Sequence, residues 1–211
     1  MIGPKAIVER GYDQIAEIYA AWTLHSRVEE RERYTAALLG RLAAGASVLE
    51  LGCGLGMPTT ARLAQQFYVT GVDISARHIA LARERIPGAN FIHADMTTLS
   101  FPEDYFDAVA AFYSLIHVPR DEQGPLLKAI ASWLRPGGLL FASMGAHADA
   151  GSLDQDWLGA AMYWSHYDST TNKQLLQDAG LHILHAVEAT EMEDGDPVTF
   201  LWVIAQKPWT T

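Results

Sequence analysis

Cysteine, positive charge and long apolar runs are what this 211-residue chain has least of. Its single thiol, Cys53, cannot form an internal disulfide, so a packed core must hold the fold and a reducing compartment is the expected home. Against 25 Asp and Glu there are only 15 Lys and Arg, a formal charge of −10 that leaves no broad basic surface to neutralise a phosphate backbone. No nucleic-acid partner is expected. The longest largely apolar stretch, Ala108–Ile116, falls far short of the roughly 20 residues that a membrane-spanning helix needs, so no membrane partner is expected either. Residues 1–10 run into charge before a secretory apolar region develops, which favours a cytoplasmic protein. His25, His78, His147, His182 and His185 lack ligand-like spacing among acids or thiols, and no metal is expected. No internal repeat or low-complexity tract is visible, and a hydrophobic content of 49% suits one well-buried domain better than two.

What is present is glycine in a particular pattern. The apolar run Val48-Leu49-Glu50-Leu51 ends on Gly52, Gly54 and Gly56, where the backbone can turn sharply and admit a ligand that a Cβ would obstruct. Pro58 follows at the expected start of a helix, where a missing N–H costs nothing. A second run, Val69-Thr70-Gly71-Val72, ends on Asp73, a carboxylate placed to accept from the two hydroxyls of a ribose. A dinucleotide fingerprint requires a glycine where this chain has Met57, which disfavours a nicotinamide cofactor.

The pattern Glu50-x-Gly52-x-Gly54-x-Gly56 resembles motif I of the class I S-adenosylmethionine-dependent methyltransferases. Asp73 is similar to that family's ribose-binding acid, and Asn90-Phe91-Ile92-His93-Ala94-Asp95-Met96 to its third-strand segment. Phe106-Asp107-Ala108-Val109 and Leu134-Arg135-Pro136-Gly137-Gly138 resemble its fourth strand and the turn before its fifth. The resemblance implies an α/β, doubly wound, seven-stranded and mostly parallel sheet with an antiparallel last strand. It also implies S-adenosylmethionine as cofactor, S-adenosylhomocysteine as product, and a small-molecule oxygen, nitrogen or carbon as acceptor. By the same resemblance Tyr19, Glu50, Gly52, Cys53, Gly54, Gly56, Thr59, Asp73, Ile74, Asp95, Met96 and Phe112 are cofactor-side residues. Glu50 is expected to support the loop more than to catalyse, because an acid before a buried turn must be paired or hydrogen-bonded. An NAD(P)-dependent oxidoreductase on a related sheet and a noncatalytic relative of the fold remain as alternatives.

Periodicity sets out the elements. Tyr12, Ile15, Tyr19 and Trp22 line one helix face, Glu29–Leu42 is a second helical stretch, and Gly45 precedes the first strand, Ser47–Leu51. Helix 58–66, strand 68–72, helix 76–85, strand 90–93, strand 108–113, a helix through Leu126–Leu134 and strand 139–143 follow in alternation, which implies parallel pairing. An aromatic-rich loop, a helix capped at Asp168 or Ser169 and closed by Gly180, and strands 181–189 and 198–205 complete the chain. Residues 1–44 are expected to form a helical lid, 45–145 the cofactor half and 146–211 the acceptor side with the final strands.

On the acceptor side, Ala111–His117 follows the fourth strand and lacks the Pro-Pro-Tyr/Phe signature of enzymes that methylate exocyclic amines of bases. His117, with an ordinary imidazole pKa near 6.5, is the candidate base; the alternative is a histidine bonded to a loop carbonyl. Tyr12, Tyr113, His117, Trp157, Tyr163, Trp164 and His166 are the candidate acceptor-binding residues, with a packed aromatic core as the competing explanation.

Overall fold

A computed structural model of the chain describes residues 2–209. Two helices, α1 (Pro4–Trp22) and α2 (Glu29–Leu39), precede the alternating half. That half runs β1 (Ser47–Leu51), α3 (Thr59–Leu63), β2 (Tyr68–Asp73), α4 (Ala76–Arg85), β3 (Asn90–His93), β4 (Phe106–Ala111), α5 (Arg120–Trp133) and β5 (Leu134–Gly145). Then come β6 (Asp149–Trp157), β7 (Ala160–His166), α6 (Ser169–Asp178), β8 (His182–Glu193) and β9 (Asp196–Gln206).

Seven strands form one sheet in the order β3-β2-β1-β4-β5-β9-β8. The first five pair in parallel, and β9 enters between β5 and β8, antiparallel to both. This is the expected sheet. Strand order reverses between β1 and β4, so their carboxyl ends diverge into a crevice, the usual place for a ligand in an open α/β sheet.

Apolar alternation along β9 explains its interior position. Leu201, Val203 and Ala205 face a layer made by Leu127 and Ile130 of α5 and Leu176 of α6, while Phe200, Trp202 and Ile204 face Tyr34 and Leu38 of α2 and Leu63 of α3. Trp202 is fully buried and stacks on Tyr34 with ring centroids 4.6 Å apart. Local signals agree with the helix ends: Asp168 Oδ1 accepts from Thr171 N at 2.9 Å, Ser75 Oγ accepts from His78 N at 3.0 Å, and Gly180 takes a left-handed φ of +83° after α6.

The segment expected to be a loop after β5 is instead a β-hairpin, a separate two-stranded sheet of β6 and β7. Leu158 and Gly159 both carry positive φ at its tip, the geometry that matches the twist of the strands they join. Strand β6 is almost wholly exposed and polar outward, which hid it among turn residues; β7 carries the inward side chains Ala160, Met162 and Ser165. Helix α1 lies directly on β7: a Cβ at Gly11 would stand 2.6 Å from Ala161 O, so only glycine permits that approach. Boundaries also shift. α2 ends at Leu39 rather than Leu42, α3 ends at Leu63, β4 begins at Phe106, and β5 takes in the Arg135–Gly138 segment expected to precede it. No helix among the described residues is long and apolar enough to cross a membrane.

Removing the Trp202 ring would empty the centre of one face. Trp202→Ala is expected to cost about 3–5 kcal/mol in urea denaturation; a loss below about 1 kcal/mol would show that this face does not carry the core.

Candidate active site

A partly open cleft lies at the carboxyl ends of β1, β2 and β4, roofed by α1. The turn after β1 forms its floor. Gly52 N and Cys53 N both donate to Val72 O, at 2.8 and 3.0 Å, which fastens the turn to β2. Gly52 has φ +74° and any Cβ there would strike Ser114, whose Oγ donates to Leu51 O at 2.7 Å. At Gly54, φ +55°, a Cβ would meet nothing closer than His78 Nδ1 at 3.9 Å, so the peptide is bare toward the cleft. Gly56 departs from expectation: it lies off the cleft, where a Cβ would stand 2.6 Å from Ile86 Cδ1, and it serves the packing of the turn on α4. Cys53 lines the cleft, but burial pushes its thiol well above the ordinary value, so it is an inert small residue.

Asp73 is the hub. Its Oδ2 accepts from Gly54 N at 2.8 Å and its Oδ1 from Ser75 N at 2.9 Å, with the His78 ring 3.5 Å away. Burial opposes its charge, yet the His78 ring and the two N–H groups outweigh burial and hold the carboxyl below its usual range. Ser75 Oγ donates to Asp13 Oδ1 at 2.6 Å, tying α1 to the same point. Glu50 behaves oppositely. Fully buried, with Thr60 Oγ1 donating to Oε2 at 2.5 Å, it is pushed up to about 8, chiefly by desolvation. Toward the other end, Ile74, Asp95 and Met96 line the wall, and Lys5 of α1 bonds Asp95 at 2.7 Å and Glu122 at 2.6 Å.

Tyr12, Tyr19, Phe112, Tyr113 and His117 line the inner face of the cleft, and Thr59 lines it near the glycine turn. His117 Nδ1 lies 2.7 Å from Tyr163 O, an acceptor only, so the ring proton sits on Nδ1 and Nε2 accepts from Tyr12 Oη at 2.9 Å. His117 is therefore bonded to a carbonyl, one on strand β7 rather than on a loop, and its ring lines the cleft. Its basicity is not ordinary, because burial lowers its pKa to about 4. Tyr113 adopts φ +54°, unusual for a bulky residue, and its hydroxyl donates to Glu191 at 2.6 Å.

Four candidate acceptor residues lie outside the cleft wall. Trp157, Tyr163, Trp164 and His166 sit on the β6–β7 hairpin. Trp157 packs edge-on against Tyr12 and Trp164, with centroids 6.0 and 5.6 Å away, and Trp164 lies 5.9 Å from the His117 ring. His166 donates from Nδ1 to His147 O at 2.6 Å. Trp157 and Trp164 back the first layer of aromatics, and the cleft stops at Tyr12, Tyr113 and His117.

Sequence reasoning missed Lys5, Thr23, Arg31 and His78, all of which line the cleft. Arg31 stands in Glu29-Glu30-Arg31-Glu32-Arg33, which reads as a solvated helix face, and no local signal distinguishes it. His78 stands in the first turn of α4, just after the Ser75 cap that follows Asp73, so its place at the helix start beside the end of β2 was the available signal.

Comparison with known proteins points to one family. The family described as "Methyltransferase domain" matches residues 48–138. The methyltransferase GfsG of Streptomyces halstedii is 32% identical over 85% of this chain and 74% of its own length. The 27-O-demethylrifamycin SV methyltransferase of Amycolatopsis mediterranei is 32% identical over 63% of this chain, which spans 56% of that relative. Among solved structures, a Burkholderia thailandensis 1,6-didemethyltoxoflavin-N1-methyltransferase with bound S-adenosylhomocysteine superposes with a TM-score of 0.68 at 20% identity, covering 99% of this chain and 92% of the other.

The protonated Glu50 makes a pH test of the site's burial. Its folded pKa is raised from 4.5 to about 8, so the stability it contributes is complete below the unfolded value and is lost as pH climbs through that window. Glu50→Gln removes the loss. Wild type is therefore expected to fall behind Glu50→Gln between pH 5 and 8 in urea denaturation without ligand, by no more than about 1.4 kcal/mol per pH unit. Parallel curves would contradict the burial of this acid.

Proposed function

The chain belongs to the class I S-adenosylmethionine-dependent methyltransferases, and on that premise we propose that its acceptor is a small molecule receiving the methyl group on oxygen, nitrogen or carbon. The observation that carries the proposal is the Tyr12–His117 pair, buried at the inner face of a roofed cleft that an extended macromolecule would have to unroof. The related rifamycin enzyme, named for an oxygen acceptor on a small molecule, supports the same class.

The cleft fits the cofactor in its sequence of chemistries. Gly54, its N–H held by Asp73, stands with Glu50 and a buried guanidinium at one end, Asp73 in the middle, and apolar Val72, Ile74, Ala94 and Met96 with Asp95 at the other. Gly52, Cys53, Gly54, Glu50 and Thr59 would hold the methionine part, Asp73 the ribose, and Ile74, Asp95 and Met96 the adenine. Asp73 retains lone pairs for hydroxyl donors after accepting two N–H bonds. Tyr19 and Phe112 would flank the middle. Of residues 1–44, α1 acts as the cover, closing the site from water and orienting the two reactants, which is worth on the order of 7–11 kcal/mol in near-attack geometry, while α2 packs Tyr34 and Leu38 into the sheet core.

S-adenosylmethionine supplies an electrophilic methyl on a sulfonium, so the chain need only aim the acceptor and accept its proton. Tyr12 Oη is the polar group that meets the acceptor. As the acceptor O–H or N–H bond breaks, Tyr12 takes that proton and passes its own to His117 Nε2, leaving an imidazolium held by Tyr163 O. With its folded pKa lowered to about 4, His117 takes the proton reluctantly on its own. It does so as the cleft loses the cofactor's positive charge, which keeps the total charge there constant.

The test is turnover against a panel of phenols, carboxylic acids, alcohols and amines, with S-adenosylhomocysteine release as readout. With an alcohol or amine acceptor, Tyr12→Phe and His117→Ala are each expected to lower kcat about 10²-fold or more while binding S-adenosylhomocysteine normally. Undiminished turnover in both variants would remove the proton path. Turnover confined to nucleic acid or protein would overturn the acceptor class.

A further inference from the structure

One wall of the cleft is a side chain held on strained backbone. Tyr113, just after β4, adopts φ +54°, a left-handed conformation that glycine takes freely, asparagine more readily than most, and a bulky residue rarely. The bonds around it fix the backbone there: Tyr113 N donates to Ser143 Oγ at 2.6 Å, and Ser114 Oγ donates to Leu51 O at 2.7 Å. Strain of this kind persists where the neighbours over-determine it, and it aims a side chain where relaxed backbone would not.

The ring is pinned from outside the cleft. Its hydroxyl donates to Glu191 Oε2 of β8 at 2.6 Å, the Arg27 guanidinium lies 4.8 Å from its centroid, and it meets Phe200 and Trp202 of β9 edge-on at 5.0 and 5.3 Å. Arg27 is itself fixed, giving Nε and Nη2 to Glu193 at 2.6 and 2.8 Å. Burial and then the Glu191 carboxylate push the Tyr113 hydroxyl well above the ordinary tyrosine value, so it stays protonated and is no base. Of the three residues at which the cleft stops, Tyr12 and His117 carry the polar pair and are backed by Trp157 and Trp164. Tyr113 has no proton to move, and what it contributes there is a boundary. Beyond it lie Arg27, between α1 and α2, and the tip of the β8–β9 hairpin, where Glu191 is half-buried and Asp194 exposed.

We propose that Tyr113 is the specificity-determining residue for acceptor length: its ring ends the acceptor subsite, which takes an acceptor one aromatic ring deep and rejects one that extends a second ring toward the β8–β9 tip. The inference rests on the small-molecule reading of the acceptor. A second ring would need the space that the Tyr113 ring fills, and a ring pinned by Glu191, Arg27 and two aromatic edges does not swing aside. Glycine at this position would lengthen the subsite and relieve the backbone together.

The probes are matched one-ring and two-ring acceptors: phenol against 2-naphthol and 4-phenylphenol, benzoic acid against 2-naphthoic acid, and benzylamine against 2-naphthylmethylamine. The readout is kcat/KM from S-adenosylhomocysteine release in wild type, Tyr113→Gly and Tyr113→Phe. In the series that is turned over, wild type is expected to favour the one-ring member about 10-fold or more, and Tyr113→Gly to shift the ratio about 10- to 100-fold toward two rings. Tyr113→Phe keeps the ring, loses the Glu191 bond, and is expected to retain the one-ring preference. Equal use of one and two rings by wild type, or a shift in Tyr113→Gly no larger than in Tyr113→Phe, would overturn the assignment. Should Tyr113→Gly not fold, Tyr113→Asn, which also suits this backbone, is read in the same way. A wild type that binds S-adenosylhomocysteine yet methylates no one-ring acceptor contradicts the proposal. Turnover confined to nucleic acid or protein would instead strike the small-molecule reading itself, and the proposal with it.

Discussion

One buried carboxylate organises the working end of this molecule. Asp73 accepts the N–H of Gly54 from the turn after β1 and the N–H of Ser75 at the start of α4, so a single side chain fixes the end of β2, the glycine turn and a helix entry together. Ser75 extends the network by donating to Asp13 and accepting from His78 N, which brings the roof helix α1 into the same set of contacts. A charge this deep is tolerable only because every neighbour offers a hydrogen or a positive edge. Of those neighbours, Gly54 and His78 line the cleft beside Asp73.

The same logic runs through the cover. α1 and the β6–β7 hairpin bury Val8, Tyr12, Ile15, Ala160 and Met162 against one another, an apolar seam separate from the main core. Polar contacts at its rim tie it to the body: Lys5 to Asp95, Glu17 to Arg77, Trp22 to Asp194 and Arg27 to Glu193. Exposed pairs of this kind contribute little each, whereas the Arg27–Glu193 pair is almost completely desolvated and bidentate. The cover is therefore set by the seam and by one buried pair, with the remaining contacts fixing its register. The seam is small beside the two core layers of the sheet.

The alternating half is legible in the sequence because its signals are local. Apolar runs ending at Gly52 and Asp73, the Asn90–Asp95 segment and the Gly180 stop each state a strand or helix end by backbone chemistry alone, and parallel pairing follows from their alternation, although the strand order itself does not. The floor of the cleft is legible for the same reason. The hairpin is not: β6 carries Asp149, Ser152, Asp154 and Asp156 on an exposed strand, and such residues read as turns until β7 supplies a partner. Spacing sends Gly56 to the ligand because it cannot distinguish a glycine bare toward a cleft from one pressed on Ile86. Trp157 and Trp164 read as substrate contacts because an aromatic cluster looks the same whether it forms the first layer or backs it. Arg31 and His117 show the opposite failure. Their chemistry depends on burial and on distant partners, Thr23 and Tyr163 among them, which only the folded chain brings together.

The central claim is that Asp73 both builds the cleft and meets the cofactor's ribose. Its most direct measurement is a calorimetric titration of wild type and Asp73→Asn with S-adenosylhomocysteine, with circular dichroism verifying the fold of each. Binding at one site per chain in wild type, weakened about 10-fold or more in a folded Asp73→Asn, is the expected result. Equal affinity in the two proteins, or no heat of binding in folded wild type, would contradict it.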